Sequence, residues 1–165
     1  SKNIDVVWNG MTLTDEVKNS MECTNAYCSN GQVIVTPDES KLDDPSKQTF
    51  AVEAGSAGEA VAEKQGYNAN SVASQADALM EVASGTSDAA IIDLLMASAM
   101  IGEGTSYPDL IHSDELTSEE YGVGCRKGSD LAAYINEQLT KAYKDGKTQE
   151  IAEKYGIADA VLEQK

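Results

Sequence analysis

Residues 49–56, TFAVEAGS, are the clearest indication of the fold, because a short run of β-forming residues leads directly into a tight turn and then into an alanine-rich helix. The strand covers residues 49–53, and the helix continues to about Gly66. A strand followed by a helix over one short turn is the basic unit of an α/β domain.

The same alternation continues along the chain. Residues 70–73 are a weak strand, residues 75–84 a helix closed by Gly85, and residues 89–92 a near-continuous apolar strand of the kind that is buried on both faces. A further helix follows at residues 94–101. The pattern predicts a parallel sheet covered by helices, and therefore an α/β fold class.

The flanking segments predict a second lobe. Residues 4–8 are a strand that stops at Asn9-Gly10, and two more strands, residues 32–36 and 121–125, bracket the β/α block. Because these two strands bracket the block, the chain is expected to leave one lobe and return to it. Helix starts are predicted at three hydroxyl residues that are typical N-caps: Thr14, Ser129 and Thr148.

The composition argues against several classes of partner. The formal charge is −16, and Arg126 is the only arginine, so the clustered basic surface of a nucleic-acid-binding protein is absent from the sequence. No apolar run reaches the roughly 18 residues that a membrane span needs. The chain opens at Ser1 without the pattern of a signal peptide, so we expect any signal or lipid anchor to lie upstream.

The sequence also lacks the motifs of common enzymes and metal sites. Cys23, Cys28 and Cys125 have no CxxC spacing, and His112 is the only histidine, so no metal and no cofactor is predicted. Cys23 and Cys28 are either separate thiols or a local disulfide. There is no phosphate-binding loop and no Ser-His-Asp arrangement.

Four pieces in order resemble the polar amino-acid binding proteins of ABC importers, family 3 of the solute-binding proteins, which have the type II periplasmic-binding-protein fold. They are IDVVWNGMTLTDE (residues 4–16), AVEAGS (51–56), AAIID (89–93) and YGVGCRKGSD (121–130). The resemblance covers essentially the whole chain. It implies an extracytoplasmic protein that binds a small polar solute and delivers it to ABC permease subunits.

The resemblance also implies the domain organisation. Residues 1–31 and 127–165 would form an incomplete first lobe, residues 32–37 and 121–126 two hinge strands, and residues 38–120 a complete second lobe. The opening strand and first helices of the family would precede Ser1. An incomplete lobe is expected to expose apolar faces and sheet edges, so self-association as a dimer is predicted.

A zwitterionic solute needs an anionic group for its ammonium and several donors for its carboxylate. Asp93 follows a buried strand, and the resemblance implies that it binds the ammonium; the alternative is that it caps the next helix. Gly55 and Ser56 are candidates for the carboxylate, since they open a helix, or they are a turn with a capping serine.

From the first lobe, Gly10 and Thr12 are candidate ligand contacts, and Asn9 and Trp8 stand beside them. Trp8 could equally belong to the core of this lobe. The resemblance places Glu53 at the solute's side chain, which suggests a cationic group, although a solvated strand-end glutamate fits as well. The family's usual arginine aligns with Val17, so the carboxylate would be bound by Lys18, by backbone donors, or not at all.

The predicted function is therefore that of a binding protein and not an enzyme. Two alternatives remain: a solute-sensing domain of a receptor or regulator with the same fold, and a dehydratase-like enzyme in which Asp93 and Glu53 form an acid/base pair.

Overall fold

A computed structural model describes residues 4–165; residues 1–3, with which the predicted first lobe begins, lie outside the described residues. Contacts divide the chain into two compact units. The first unit joins the described part of Ser1–Asn30 to Glu119–Lys165, and the second unit is Gly31–Ser118.

Nine strands and six α-helices build the two units. The strands are β1 (Val6–Thr12), β2 (Glu22–Cys23), β3 (Cys28–Asn30), β4 (Gln32–Thr36), β5 (Thr49–Glu53), β6 (Asn68–Val72), β7 (Ala89–Asp93), β8 (Ile111–His112) and β9 (Glu119–Cys125). The helices are α1 (Asp15–Ser20), α2 (Ala57–Gln65), α3 (Gln75–Ser84), α4 (Leu94–Met100), α5 (Leu131–Lys144) and α6 (Lys147–Lys154). These counts refer to residues 4–165, in which no helix has the length and apolar composition to cross a membrane.

The two strands predicted as hinges lie in different units. Residues 32–36 form β4 in the sheet of the second unit, and residues 121–125 belong to β9 in the sheet of the first unit. Their function as hinges stays a prediction.

In the first unit, β9 pairs antiparallel with β1, β2 and β3. One face of this sheet packs against α5 through Val123, Cys125, Ala132 and Ile135. The prediction that the first strand stops at Asn9-Gly10 is wrong. Strand β1 continues to Thr12 because the irregularity is absorbed by a register shift between Val7 and Met11, within which Gly10 adopts a φ of 74°.

In the second unit, the strand order is β6-β5-β7-β4-β8. Strand β5 is parallel to β6 and β7, whereas β4 runs antiparallel to both β7 and β8. The parallel sheet predicted from the β/α alternation is therefore confirmed for β5, β6 and β7, and β4 and β8 extend it with antiparallel pairing. Only β5, β6 and β7 are connected by the helical crossovers that parallel pairing requires, since β4 is followed by short 3₁₀ turns instead of an α-helix.

Side chains alternate between the two faces of this sheet, so both faces carry a core. Val33, Val35 and Ile92 pack with α3 and α4 on one face, and Ile34 and Ile91 pack with α2 on the other. Burial on both faces explains why the sequences of β4 and β7 contain continuous apolar runs.

The helix ends follow the predicted signals in most places. Thr14, Ser56 and Ser74 accept N-cap hydrogen bonds at the starts of α1, α2 and α3, and Gly66 and Gly85 end α2 and α3 in the left-handed conformation.

The predicted cap at Thr148 is wrong, because Gly146, with a φ of 75°, is already the N-cap of α6 and Thr148 lies inside that helix. Ser129 lies one residue before the N-cap position of α5, which is Asp130, and its hydroxyl accepts a hydrogen bond from the Leu131 N–H at 3.2 Å. All three cysteines are free thiols.

Candidate functional site

The strongest candidate site lies at the carboxyl edge of the parallel strands in the second unit. Glu53 is the last residue of β5, and Asp93 is the last residue of β7. Neighbouring parallel strands end at the same edge of a sheet, which is where open α/β sheets bind ligands. Gly55 and Ser56 follow Glu53 after a single residue, Ala54, so four of the predicted site residues share this edge.

The Asp93 carboxylate is held by two glutamine side chains. Gln32 Nε2 donates to Asp93 Oδ1 at 2.6 Å, and Gln75 Nε2 donates to Asp93 Oδ2 at 2.6 Å. The backbone N–H of Asp93 donates in return to Gln75 Oε1 at 3.1 Å. Asp93 also stands at the N-cap position of α4. We call Gln32, Gln75 and Asp93 the amide clamp.

The two glutamines reach Asp93 from different elements. Gln32 is the first residue of β4, directly opposite Asp93 in the antiparallel pairing with β7, and its side chain is fully buried. Gln75 is the first residue of α3, fixed by the Ser74 cap. Sequence reasoning missed both residues, although a glutamine at the end of an otherwise apolar strand is a signal that could have indicated Gln32.

The start of α2 is organised by Glu59. Its Oε2 accepts a hydrogen bond from the Gly55 N–H at 2.7 Å, and its Oε1 accepts one from the Ser71 hydroxyl. Both bonds lower the pKa of Glu59, and the bond from Ser71 has the larger effect. The Gly55 amide is therefore already bound inside the protein.

Ser56 is the cap of this helix. Its Oγ accepts a hydrogen bond from the Glu59 N–H at 3.1 Å, and its own N–H donates to the Glu53 carbonyl at 3.1 Å. The donors that remain are the Ser56 hydroxyl hydrogen and the first-turn amides of Ala57 and Gly58, which have no carbonyl partner within the helix.

Gly58 allows α2 to approach the amide clamp. A Cβ atom on Gly58 would lie 2.6 Å from the Ile91 carbonyl oxygen and 3.1 Å from Gln32 Oε1. Only a residue without a side chain fits there, so the first turn of α2 packs directly against the end of β7 and against Gln32.

The lysines of the second unit all lie towards one end of the parallel strands. Its only lysines or arginines are Lys41, Lys47 and Lys64. Lys41 pairs with Asp88, just before β7, Lys47 pairs with Asp44, just before β5, and Lys64 lies in the last turn of α2. All three therefore lie towards the amino ends of the parallel strands, whereas Glu53, Glu59 and Asp93 lie at the carboxyl edge.

The remaining four predicted contacts lie in β1 of the first unit. The Thr12 hydroxyl donates to Glu119 Oε2 at 3.1 Å. Trp8 is 55% exposed, with its ring centroid 6.2 Å from that of Tyr27, and Asn9 is exposed as well. Gly10 lies against the Tyr121 ring.

Val17, at the position where the resemblance implies an arginine, lies in α1 and is half-buried, while Lys18 is exposed. Within residues 4–165, no group of three or more His, Cys, Asp or Glu side chains is placed to hold a metal ion.

The sequence profile of the bacterial extracellular solute-binding proteins, family 3, matches residues 1–158. The chain belongs to this family. Among the curated members, it is 28% identical over 160 residues to the ABC transporter glutamine-binding protein GlnH of Bacillus subtilis, an alignment that covers 93% of this chain and 58% of GlnH. The chain thus spans about 58% of the length of that relative.

Solved structures of the family have the same fold. ArgBP from T. maritima, in a P235GK mutant form, superposes with a TM-score of 0.84 at 34% identity, covering 94% of this chain and 70% of that one. An ABC uptake transporter substrate-binding protein from Streptococcus pneumoniae with bound histidine superposes with a TM-score of 0.83 at 30% identity, covering 98% and 72%. The predicted α/β, type II periplasmic-binding-protein fold is confirmed.

Proposed function

We propose that this chain is the solute-binding part of an ABC importer that binds an amino acid outside the cytoplasm and delivers it to permease subunits in the membrane. Family membership supports the general role, and the relatives are named as binding proteins and not as enzymes. An extracellular protein of this kind would be secreted with a signal peptide and tethered by a lipid anchor.

The amide clamp is the observation that carries the proposal. Asp93 is half-buried at the carboxyl edge of the sheet, and both of its oxygens are fixed by neutral donors. A fixed carboxylate at this edge suits the ammonium group of an amino acid, because a charge-assisted hydrogen bond to an oriented acceptor is short and strong.

The solute carboxylate would be bound a short distance away, at the start of α2. The Ser56 hydroxyl and the amides of Ala57 and Gly58 supply donors, and the positive end of the helix dipole favours an anion. These neutral donors would bind the solute carboxylate in place of the family's usual arginine, whose position is occupied here by Val17.

The carboxylates at the carboxyl edge of the second unit favour a cationic side chain in the solute. Glu53 and Glu59 stand at the same edge as Asp93, whereas the three lysines lie towards the other end of the strands. Screening reduces charge interactions beyond about 8 Å, so the nearby carboxylates dominate the potential at this edge. We therefore expect arginine, lysine or histidine to bind more tightly than glutamine.

Isothermal titration of the full-length gene product tests the proposal, with arginine, lysine, histidine, glutamine and glutamate as titrants. We expect binding of at least one cationic amino acid, and loss of about 100-fold or more of the affinity in Asp93→Ala, because the ammonium would face no counter-charge. Asp109→Ala, an exposed carboxylate in the same unit, is the control.

Two results would count against the proposal. Absence of binding across the whole panel would reject an amino acid as the solute. An affinity that is unchanged in Asp93→Ala would leave the solute class standing and remove Asp93 from the site.

A further inference from the structure

We propose that Gln32 and Gln75 are positioning residues, which orient the Asp93 carboxylate for the solute ammonium before any solute arrives. This inference rests on the proposed function for its consequences in binding. The clamp itself is a property of the protein without a ligand.

Each oxygen of Asp93 receives one amide donor, at 2.6 Å in both cases. Two donors from two different elements prevent rotation of the carboxylate about its terminal torsion, which is otherwise broad for an aspartate.

The orientation of the Gln75 amide follows from the backbone. The backbone N–H of Asp93 can only donate, and its partner at 3.1 Å is Gln75 Oε1. Nε2 of the same side chain must then face the carboxylate. The assignment of oxygen and nitrogen, which is otherwise a choice based on the surrounding network, is thus fixed by a donor that cannot be reversed.

The chemistry of the donors decides what the clamp can do. Glutamine amides are neutral, so they orient the carboxylate without cancelling its negative charge. A lysine or arginine in either position would form an ion pair with Asp93 and compete with the solute cation. Orientation before binding also reduces the ordering cost that the solute would otherwise have to offset.

Both glutamines are themselves fixed. Gln32 is 1% exposed and lies between Asp93 and the first turn of α2, where Gly58 leaves just enough room for its Oε1. Gln75 begins α3, and the Ser74 hydroxyl accepts the Asp77 N–H at 3.1 Å to hold that turn. The clamp therefore joins β4, β7 and α3 and contacts α2.

The first test needs no ligand. In NMR spectra of the ¹⁵N-labelled full-length gene product, we expect the side-chain amide protons of Gln75 and Gln32 to exchange slowly and to shift away from those of the exposed Gln65. Asp93→Ala should abolish both effects for Gln75. Gln75 signals that match those of Gln65 in the unmodified protein would overturn the clamp, whatever the protein binds.

The second test uses binding. Gln75→Met keeps the approximate shape and removes the donor, and Gln65→Met is the matched control. The probes are L-arginine and 5-guanidinopentanoate, the same solute without its ammonium. We expect Gln75→Met to weaken L-arginine binding by about 10- to 100-fold, the range for a lost hydrogen bond to a charged group. The same substitution should weaken the binding of 5-guanidinopentanoate much less.

The pair of probes separates positioning from a general structural effect. Equal losses of affinity for both probes in Gln75→Met would overturn the positioning role. Damage to the fold would weaken both probes alike, because it does not depend on the ammonium group. If the unmodified protein binds no amino acid, the proposed function fails, and the NMR result alone then decides whether the clamp exists.

Discussion

Gly58 is the residue at which packing and the candidate site are most closely connected. Its position in the first turn of α2 leaves no space for a methyl group, since a Cβ atom would lie 2.6 Å from a backbone oxygen that cannot move independently of β7. The next nearest atom is the side-chain oxygen of Gln32, at 3.1 Å. The absence of a side chain at this one position therefore brings α2 to the amide clamp.

Gly58→Ala should destabilise the protein by about 1–3 kcal/mol, the usual cost of adding a methyl group to a tightly packed interior. Helix propensity alone predicts the opposite sign, because alanine is better than glycine in a helix by about 1 kcal/mol. Urea denaturation followed by circular dichroism measures the change in the free energy of unfolding.

The control for Gly58→Ala is Ala60→Gly in the same helix, where the side chain is exposed and only propensity changes. A stabilising effect of Gly58→Ala would show that α2 can shift away from β7 without cost. The close approach would then be incidental.

At the scale of elements, the amino ends of β5 and β7 are joined by a single carboxylate. Asp88 Oδ1 accepts a hydrogen bond from Lys41 Nζ at 2.8 Å, and its Oδ2 accepts one from the Thr49 N–H at 3.0 Å. Both bonds lower the pKa of Asp88 below its usual value, and the bond from Lys41 has the larger effect. The folded state therefore favours the charged form more than the unfolded state does.

The sign of the pH effect follows from this lowered pKa. The stabilisation is complete above the unfolded pKa of about 3.9 and is lost as the pH falls through the lower folded pKa. We expect the stability of the unmodified protein to fall more steeply below about pH 4 than that of Asp88→Asn, in urea denaturation at several pH values.

Asp43→Asn is the control for Asp88→Asn, because it removes the same charge from an exposed position and leaves the Lys41 contact in place. Identical pH profiles for Asp88→Asn and the unmodified protein would mean that this connection does not contribute to acid sensitivity.

At the scale of the whole molecule, the first unit presents a sheet edge and exposed apolar side chains. Within residues 4–165, β1 is paired on one side only, by β9, and Trp8 and Ile4 next to that edge are 55% and 61% exposed. Edge strands with apolar neighbours are ready to pair with another chain. We propose that the 165-residue chain self-associates through β1.

Light scattering over a range of concentrations measures this association. Trp8→Lys should shift the chain towards monomer, because a charge beside an edge strand opposes pairing. Tyr134→Lys, at a residue that is 59% exposed on α5, should leave the association unchanged. A monomer at all concentrations in the unmodified chain would contradict the proposal.

Local sequence was enough to predict the β/α units and to place Asp93 directly after a buried strand. The turn after Glu53, the caps Thr14 and Ser56, and the closing glycines of α2 and α3 all act within a few residues, so local chemistry indicates them. The apolar run that ends at Asp93 located the carboxyl edge in the same way.

The direction of β4, the continuation of β1 through Gly10, and the partners of Asp93 depend on contacts that are distant in sequence. Gln32 and Gln75 are 61 and 18 residues away from Asp93 along the chain. No local pattern links them, because their meeting depends on the pairing of β4 with β7 and on the packing of α3 against the sheet. Such contacts form between elements, and they exist only once the second unit has folded.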